Sequence, residues 1–196
     1  MELSPRLYHW LVRPEWFTKL YLNRVLSQLF KGMDLENKSV LDFGCGIGTN
    51  SSLFSPKYYL GIDCDHNRVS YARLLHKDYN FMTINDLPLP IKNGSLDYIF
   101  IMAVLHHMNP NIINHYLLEF HRALKPGGKV LVIEPCYSET NPLNNWCMKT
   151  LDKGKYLCNQ EGYLSYFKEQ YFETQVIKQF KKCLFYNELF FIASPN

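Results

Sequence analysis

Three glycines at alternate positions follow a short apolar run in the segment LDFGCGIGTN. The run ends near Asp42, and the glycines are Gly44, Gly46 and Gly48. Glycine lets the backbone approach a ligand closely, and a turn from a strand into a helix directs backbone N–H groups at that ligand. The spacing therefore predicts a loop that holds a nucleotide-like cofactor.

The exact spacing of the glycines discriminates between kinds of nucleotide. The dinucleotide fingerprint is GxGxxG, whereas this segment has GxGxG and carries Thr49 where the last glycine of that fingerprint would stand. The Gly-Lys-Ser/Thr of a phosphate-binding P-loop is also missing. Phosphate-binding interpretations are therefore disfavoured.

A second acidic residue, Asp63, follows the apolar part of the segment YLGIDCD, 19 residues after Gly44. A carboxylate at the tip of the neighbouring strand can accept hydrogen bonds from both ribose hydroxyls of an adenosine group. A lone aspartate at a strand end is more often a turn or helix cap. The glycine loop and Asp63 at this spacing together favour cofactor binding.

Apolar runs bounded by turn residues predict the elements that position these residues. Five runs are typical of strands buried on both faces, and helical patterns lie between them. An N-terminal helix is predicted over 14–30 and a further helix over 111–124, while Asp65 is predicted to cap a helix over 66–77. The predicted strands are 39–43, 58–62, 79–84, 97–102 and 129–134.

The C-terminal tail departs from this alternation, with strand-rich segments at 172–180 and 183–193 separated by a turn at Lys181 and Lys182. We expect an α/β fold: a Rossmann-like, doubly wound sheet of seven strands, mostly parallel, with a C-terminal antiparallel hairpin. The chain is expected to be one domain. Its parts are an N-terminal helical lid (1–37), a cofactor-binding half (38–135) and a substrate-side connection with the hairpin (136–196).

The composition restricts the possible partners. The chain has 196 residues, 47% hydrophobic and 20% charged, and a net charge of +3 that forms no basic tail or stripe. Nucleic acid is therefore not expected as a partner. The six cysteines form no CxxC pair, and we find neither a secretion signal nor an apolar run near the roughly 20 residues of a membrane span. We expect a cytoplasmic protein, monomeric or homodimeric, that acts on a small molecule.

At this point the sequence resembles the class I S-adenosylmethionine-dependent methyltransferases, in their small-molecule branch. VLDFGCGIGT looks like the glycine motif of that family and YLGIDCD like its ribose motif. INDLPLPIKNGSLDYIF looks like the adenine turn and fourth strand, and RALKPGGKVLVIEP like the last crossover helix, turn and fifth strand. Four motifs in order are more specific than any one of them.

The resemblance implies S-adenosylmethionine as the cofactor and S-adenosylhomocysteine as its product. Asp42 and the 44–48 backbone would contact the methionine part, Asp63 the ribose, and Asp86 with the backbone of Leu87 the adenine ring. The acidic residue of the adenine turn could equally map to Asn85. The implied cofactor-binding set is Asp42, Gly44, Cys45, Gly46, Gly48, Asp63, Cys64, Asn85, Asp86, Leu87 and Ala103.

Methyl transfer needs alignment and a water-poor site, with a base only where the acceptor must lose a proton. His107, or its neighbour His106, is the candidate base because imidazole titrates near neutral pH. A packing role is the alternative. Cys136 resembles the nucleophile of RNA cytosine methyltransferases, but the second cysteine of those enzymes is missing from MAVLHHM.

Aromatic residues around the core suggest an apolar or aromatic acceptor. The segment YHWLVRPEWF is either a lid over the cofactor or ordinary helix core. The candidate substrate-binding residues are Tyr8, Trp16, His107 and Tyr137. No metal site is predicted, since His9, His76, His115 and His121 share no ligand spacing.

The sequence thus predicts methyl transfer from S-adenosylmethionine to a small metabolite, with oxygen favoured and carbon or nitrogen possible. A methyltransferase of RNA or protein, and a non-catalytic scaffold that binds the cofactor, stay open as alternatives.

Overall fold

Strands and helices alternate along the chain in the computed structural model, which describes residues 23–152, 154–183 and 186–196. By their internal contacts these residues fall into two units that divide between residues 85 and 86. The predicted helix over 14–30 is described only from residue 23, and the predicted substrate contacts Tyr8 and Trp16 lie outside the described residues.

The first unit contains three parallel strands in the order β3-β2-β1. Val40 pairs with Tyr59, and Leu60 with Asn80, in the registers of the two ladders. All four β1 residues are buried, as expected for a strand covered on both faces. The elements are α1 (Asn23–Leu29), β1 (Val40–Phe43), β2 (Tyr59–Asp63), α2 (His66–Leu75) and β3 (Asn80–Thr83).

The second unit contains four strands in the order β4-β5-β7-β6, with β4 and β5 parallel and β7 antiparallel to both its neighbours. Its core is formed by fully buried apolar residues of β4, β5 and β7, such as Phe100, Val132 and Phe190. The elements are β4 (Leu96–Met102), α3 (Pro110–Ala123), β5 (Leu124–Pro135), α4 (Pro142–Leu151), α5 (Gln160–Glu169), β6 (Phe172–Cys183) and β7 (Tyr186–Pro195).

Local signals explain where the crossover helices begin. Asp65 accepts hydrogen bonds from the N–H groups of Asn67 and Arg68, which confirms it as the cap of α2. Asn109 caps α3 ahead of Pro110 and accepts from the N–H of Asn111. The α3 face that carries Ile113, Leu117, Phe120 and Ala123 is buried, as the helical period predicts.

The predicted fold class is confirmed, with two corrections of boundary. Strand β6 continues through Lys181 to Cys183, so the two lysines belong to a strand and not to a turn. Lysines suit this position because β6 ends the strand order of its unit. Strand β5 begins at Leu124 and not near 129, because Leu124 already pairs with Leu96.

Candidate functional site

The glycine loop leaves β1 in a conformation that requires glycine. Gly44, Gly46 and Gly48 have positive φ angles of 74°, 56° and 77°. The N–H groups of Gly44 and Cys45 both donate to the carbonyl of Ile62, at 2.8 and 2.9 Å, which holds the start of the loop against the end of β2. A Cβ at Gly48 would lie 2.7 Å from Phe81, whereas one at Gly46 would meet no atom of the described residues within 4 Å. Among the described residues, open space therefore adjoins the middle of the loop.

Asp63 connects this loop to the tip of β2. Its Oδ2 accepts from the N–H of Gly46 at 2.8 Å, and its Oδ1 accepts from the N–H of Asp65 at 2.9 Å. The residue is only 9% exposed. A carboxylate has about four acceptor positions. Two contacts therefore fix its orientation and leave acceptor capacity for a ligand.

Asp42, the other acidic residue of the predicted site, is buried at the end of β1. Its Oδ2 accepts from the hydroxyl of Tyr59 at 2.7 Å, and burial together with the Asp42 charge raises the pKa of Tyr59 well above its usual value. The sequence motif does not reveal Tyr59 as this partner. Burial, reinforced by the charges of Asp42 and Asp63, also raises the pKa of the Cys45 thiol far above its usual value. Cys45 therefore contributes a neutral side chain.

Buried polar atoms lie directly after the glycine loop. Asn50 Oδ1 and Ser51 Oγ are buried and form no hydrogen bond within the part of the chain that the structure describes. Buried polar atoms in proteins are almost always paired with protein or water. Together with the open space at Gly46, these two atoms fit a loop that accommodates a polar ligand.

In the second unit, α3 holds the segment that follows the predicted adenine turn. Glu119 accepts from the N–H of Leu89 at 2.8 Å, and Arg122 donates to the carbonyls of Leu89 and Ile91. Arg122 also pairs with Glu119 at 2.7 Å and, through its hydrogen bond, lowers the pKa of that carboxyl. Asn85, Asp86 and Leu87, the residues assigned to adenine, are exposed in their respective units.

Glu134, at the end of β5, organises the turn that follows β4. It is fully buried, and its Oε1 accepts from the N–H groups of Val104 and Leu105 at 2.7 and 2.9 Å. Its Oε2 accepts from Nδ1 of His106 at 2.7 Å and lies 3.4 Å from the N–H of the same residue. Ala103, which begins the turn, has a positive φ of 57°. One carboxylate thus fixes the turn that carries both histidines.

Asp152 approaches His106 from the other side. Its Oδ1 lies 3.6 Å from His106 Nε2 and accepts from the N–H of Gly154 at 2.6 Å, and its Oδ2 accepts from the Tyr186 hydroxyl. Burial would raise the pKa of Asp152, but the hydrogen bonds from Tyr186 and Gly154 and the nearby histidines outweigh it and lower that pKa. Both ring nitrogens of His106 therefore face carboxylates, and the residue is only 2% exposed.

His107 and Tyr137 occupy more accessible positions. The His107 side chain is exposed, and its ring centroid lies 4.0 Å from that of His106. Tyr137 is partly buried and, with Trp146 and Lys149, lines a pocket of about 580 Å³. Of the two candidate bases, the structure buries His106 and leaves His107 exposed.

Cys136 does not have the properties of a nucleophile. Burial raises the pKa of its thiol to about 12, and its Sγ donates to the carbonyl of Tyr137. The attacking form of cysteine is the thiolate. The structure therefore gives the comparison with RNA cytosine methyltransferases no support.

The comparisons with known proteins agree with this geometry. A family model described as "Methyltransferase domain" matches residues 41–132. A fatty-acid O-methyltransferase of Mycolicibacterium smegmatis is 31% identical over 62% of this chain and 45% of its own length. A tRNA (carboxymethyluridine(34)-5-O)-methyltransferase of Saccharomyces cerevisiae is 30% identical over 47% of this chain and 33% of its own length.

A solved structure extends the similarity over most of the chain. The magnesium protoporphyrin IX methyltransferase of Synechocystis PCC 6803, with bound S-adenosylhomocysteine, matches with a TM-score of 0.68 and 15% identity. The match covers 92% of this chain and 84% of that one.

Two further facts set the scope of the comparisons. The chain spans less than half the length of each of the two curated relatives above. No helix in the described ranges is both long and apolar enough to cross a bilayer. The match over residues 41–132, together with the glycine and ribose motifs inside it, identifies this segment as part of a class I S-adenosylmethionine-dependent methyltransferase domain.

Proposed function

We propose that the chain binds S-adenosylmethionine and transfers its methyl group to a small apolar or aromatic metabolite, with oxygen as the favoured acceptor atom and carbon or nitrogen as alternatives. The observation that carries the proposal is the contact between the glycine loop and Asp63, in which Gly46 donates to a buried carboxylate that retains acceptor capacity. This arrangement suits a ligand with a diol close to the loop backbone.

The cofactor contacts follow from this arrangement. Asp63 accepts from the ribose hydroxyls, while Asp42 and the loop backbone contact the methionine part. Cys45 lies just after β1 and Cys64 just after β2. Both thiols are neutral, because partial or full burial raises their pKa. The proposed adenine and sulfonium-side residues are Asn85, Asp86, Leu87 and Ala103.

The bound cofactor supplies a methyl group on a positively charged sulfur that leaves as a neutral thioether. The chain's own residues have to align the acceptor, exclude water and accept a proton where the acceptor is a hydroxyl. We assign the proton acceptor to His107, whose ring is exposed. His106 is buried between Glu134 and Asp152, so its role is to position His107 and the turn.

The class of methyl acceptor is inferred from the residues that line the pocket at Tyr137 in the second unit. Tyr137 and Trp146 offer aromatic surface in the same pocket as the amine of Lys149. Tyr8 and Trp16 stay in the proposal as substrate contacts on sequence grounds. The fatty-acid O-methyltransferase similar to this chain acts, by its name, on an apolar substrate at oxygen, which supports the same choice.

RNA is the second candidate acceptor, because one relative is a tRNA methyltransferase. Against it, the net charge of +3 is not gathered into a basic stripe. We further propose that the protein is cytoplasmic, consists of one domain and is a monomer or homodimer.

The proposal is tested by incubating the chain with methyl-labelled S-adenosylmethionine and either fractionated small-molecule extract or total RNA. We expect label in an apolar small-molecule fraction, and less of it with His107→Ala than with the control His115→Ala, which alters an exposed histidine of α3. Label that appears only in RNA would replace the small-molecule proposal with the second candidate.

A further inference from the structure

Three potential ligand groups for a metal ion converge beside β4 and β5 in the second unit. One atom each of His106, His107 and Asp152 lies within 4.8 Å of the other two. His106 Nε2 lies 3.6 Å from Asp152 Oδ1. Imidazole nitrogen and carboxylate oxygen are the ligand types of zinc and of neighbouring first-row cations.

The orientation of His106 suits a ligand more than a packing residue. Its Nδ1 is held by the buried Glu134 at 2.7 Å, which leaves Nε2 directed toward Asp152. In metal sites the second nitrogen of a histidine ligand commonly donates to a carboxylate, which fixes the tautomer and the ring. Glu134 is such a carboxylate, since its Oε2 accepts from Nδ1 of His106.

Asp152 is also held in place before any ligand arrives. Gly154 N–H and the Tyr186 hydroxyl donate to its two oxygens, and its pKa is lowered, so the group is a carboxylate at neutral pH. A Cβ on Gly154 would lie 2.2 Å from His106, which shows how closely the segment after Asp152 covers that ring. Two of the three ligands are therefore preorganised by contacts outside the cluster.

The separations are close to those that a tetrahedral ion requires. Ligand atoms about 2.0–2.1 Å from zinc lie about 3.4 Å from one another. His106 and Asp152, at 3.6 Å, are close to this separation. The other separations, all within 4.8 Å, shorten if the exposed ring of His107 rotates toward the other two groups. Three protein ligands leave the fourth position open.

We propose that His106, His107 and Asp152 bind one divalent first-row transition cation of the zinc type. The sequence predicts no metal site, since that prediction rests on the spacing of His9, His76, His115 and His121 and not on Asp152. A cation bound here takes up a ring nitrogen of His107, the residue to which we assign proton transfer. Bound zinc therefore inhibits methylation of a hydroxyl acceptor.

The experiment titrates the purified full chain, without a histidine tag and after chelator treatment, with Co²⁺ followed by visible absorption and with Zn²⁺ followed by calorimetry. No nucleotide is added, so the result is independent of the proposed methyl transfer. Mg²⁺ is the control ion, because it prefers oxygen ligands. Circular dichroism checks that every variant is folded.

We expect saturable binding of one Co²⁺ or Zn²⁺ per chain and none of Mg²⁺. His107→Ala and Asp152→Asn should each weaken binding at least tenfold, while the exposed control His115→Ala leaves it unchanged. If the site instead holds only a proton shared between Glu134, His106 and Asp152, Co²⁺ will bind weakly or not at all. That result, or equal affinity of His107→Ala and wild type, would overturn the proposal.

Discussion

At the scale of single residues, Asp63 has the most direct connection to the proposed cofactor. Asp63→Ala removes charge-assisted hydrogen bonds to two hydroxyls, so S-adenosylmethionine binding should weaken by about 3 kcal/mol, or on the order of 100-fold in Kd. Calorimetric titration measures this loss. Asp78→Ala, which alters an exposed carboxylate of the same unit, is the matched control. Equal affinity of Asp63→Ala and wild type would remove Asp63 from the ribose site.

Two glycines of the same loop provide a second test at this scale. Both have positive φ, but a Cβ on Gly48 would lie 2.7 Å from Phe81 and 2.8 Å from His76, whereas a Cβ on Gly46 would meet no atom within 4 Å in the part of the chain that the structure describes. Gly46→Ala should therefore cost only the left-handed strain, about 1 kcal/mol. Gly48→Ala adds overpacking and should cost about 2–4 kcal/mol in the free energy of unfolding. Urea denaturation compares them, and equal losses would contradict the packing described here.

At the scale of elements, Glu134 joins the end of β5 to the turn after β4. Glu134→Gln replaces an acceptor oxygen with a donor group opposite backbone N–H groups and His106 Nδ1. The variant should lose about 2–4 kcal/mol of unfolding free energy. Chemical denaturation measures the loss, with Glu139→Gln as the exposed control. A variant as stable as that control would show that the turn does not depend on this carboxylate.

Glu119 and Arg122 of helix α3 hold the segment at Leu89, and the strength of this contact depends on pH. The hydrogen bond with Arg122 lowers the pKa of the Glu119 carboxyl from its usual value of about 4.5. The ion pair therefore stabilises the folded chain above that pH, and this stabilisation is lost as the pH falls through the lowered pKa of the folded state. Wild type should be more stable than Glu119→Gln at about pH 7, and the difference should shrink as the pH falls below about 4.5, the ordinary pKa of this carboxyl. Denaturation across this range measures the difference. A difference that stays constant with pH would exclude the carboxylate charge as its source.

At the scale of the whole molecule, the sequence predicts which segments form strands and helices, and it predicts the position of the cofactor loop. Both predictions depend on local sequence patterns. Apolar runs show which strands are buried, and Gly44 to Gly48 with Asp63 show where backbone approaches a ligand. The cluster around His106 depends on long-range contacts instead. Glu134, Asp152 and Tyr186 come from different parts of the chain, and no spacing rule connects them. The local signals are the adjacent histidines and Gly154, at which a Cβ would lie 2.2 Å from His106.

The C-terminal end of strand β6 is another feature that the sequence alone does not predict correctly. Lys181 and Lys182 have the composition of a turn, but Lys181 pairs with Asn187 of β7 and Cys183 with Tyr186, so the strand continues past both lysines. Pairing partners decide such boundaries, and a single sequence does not show them.

Calorimetric titration of the chain with S-adenosylmethionine, S-adenosylhomocysteine and NAD tests the central claim most directly. The structure and the methyltransferase motifs predict that the first two bind one per chain with micromolar affinity, while NAD does not bind, because the loop lacks the dinucleotide spacing. A folded chain that binds neither of the first two, or that binds NAD equally well, would contradict the account.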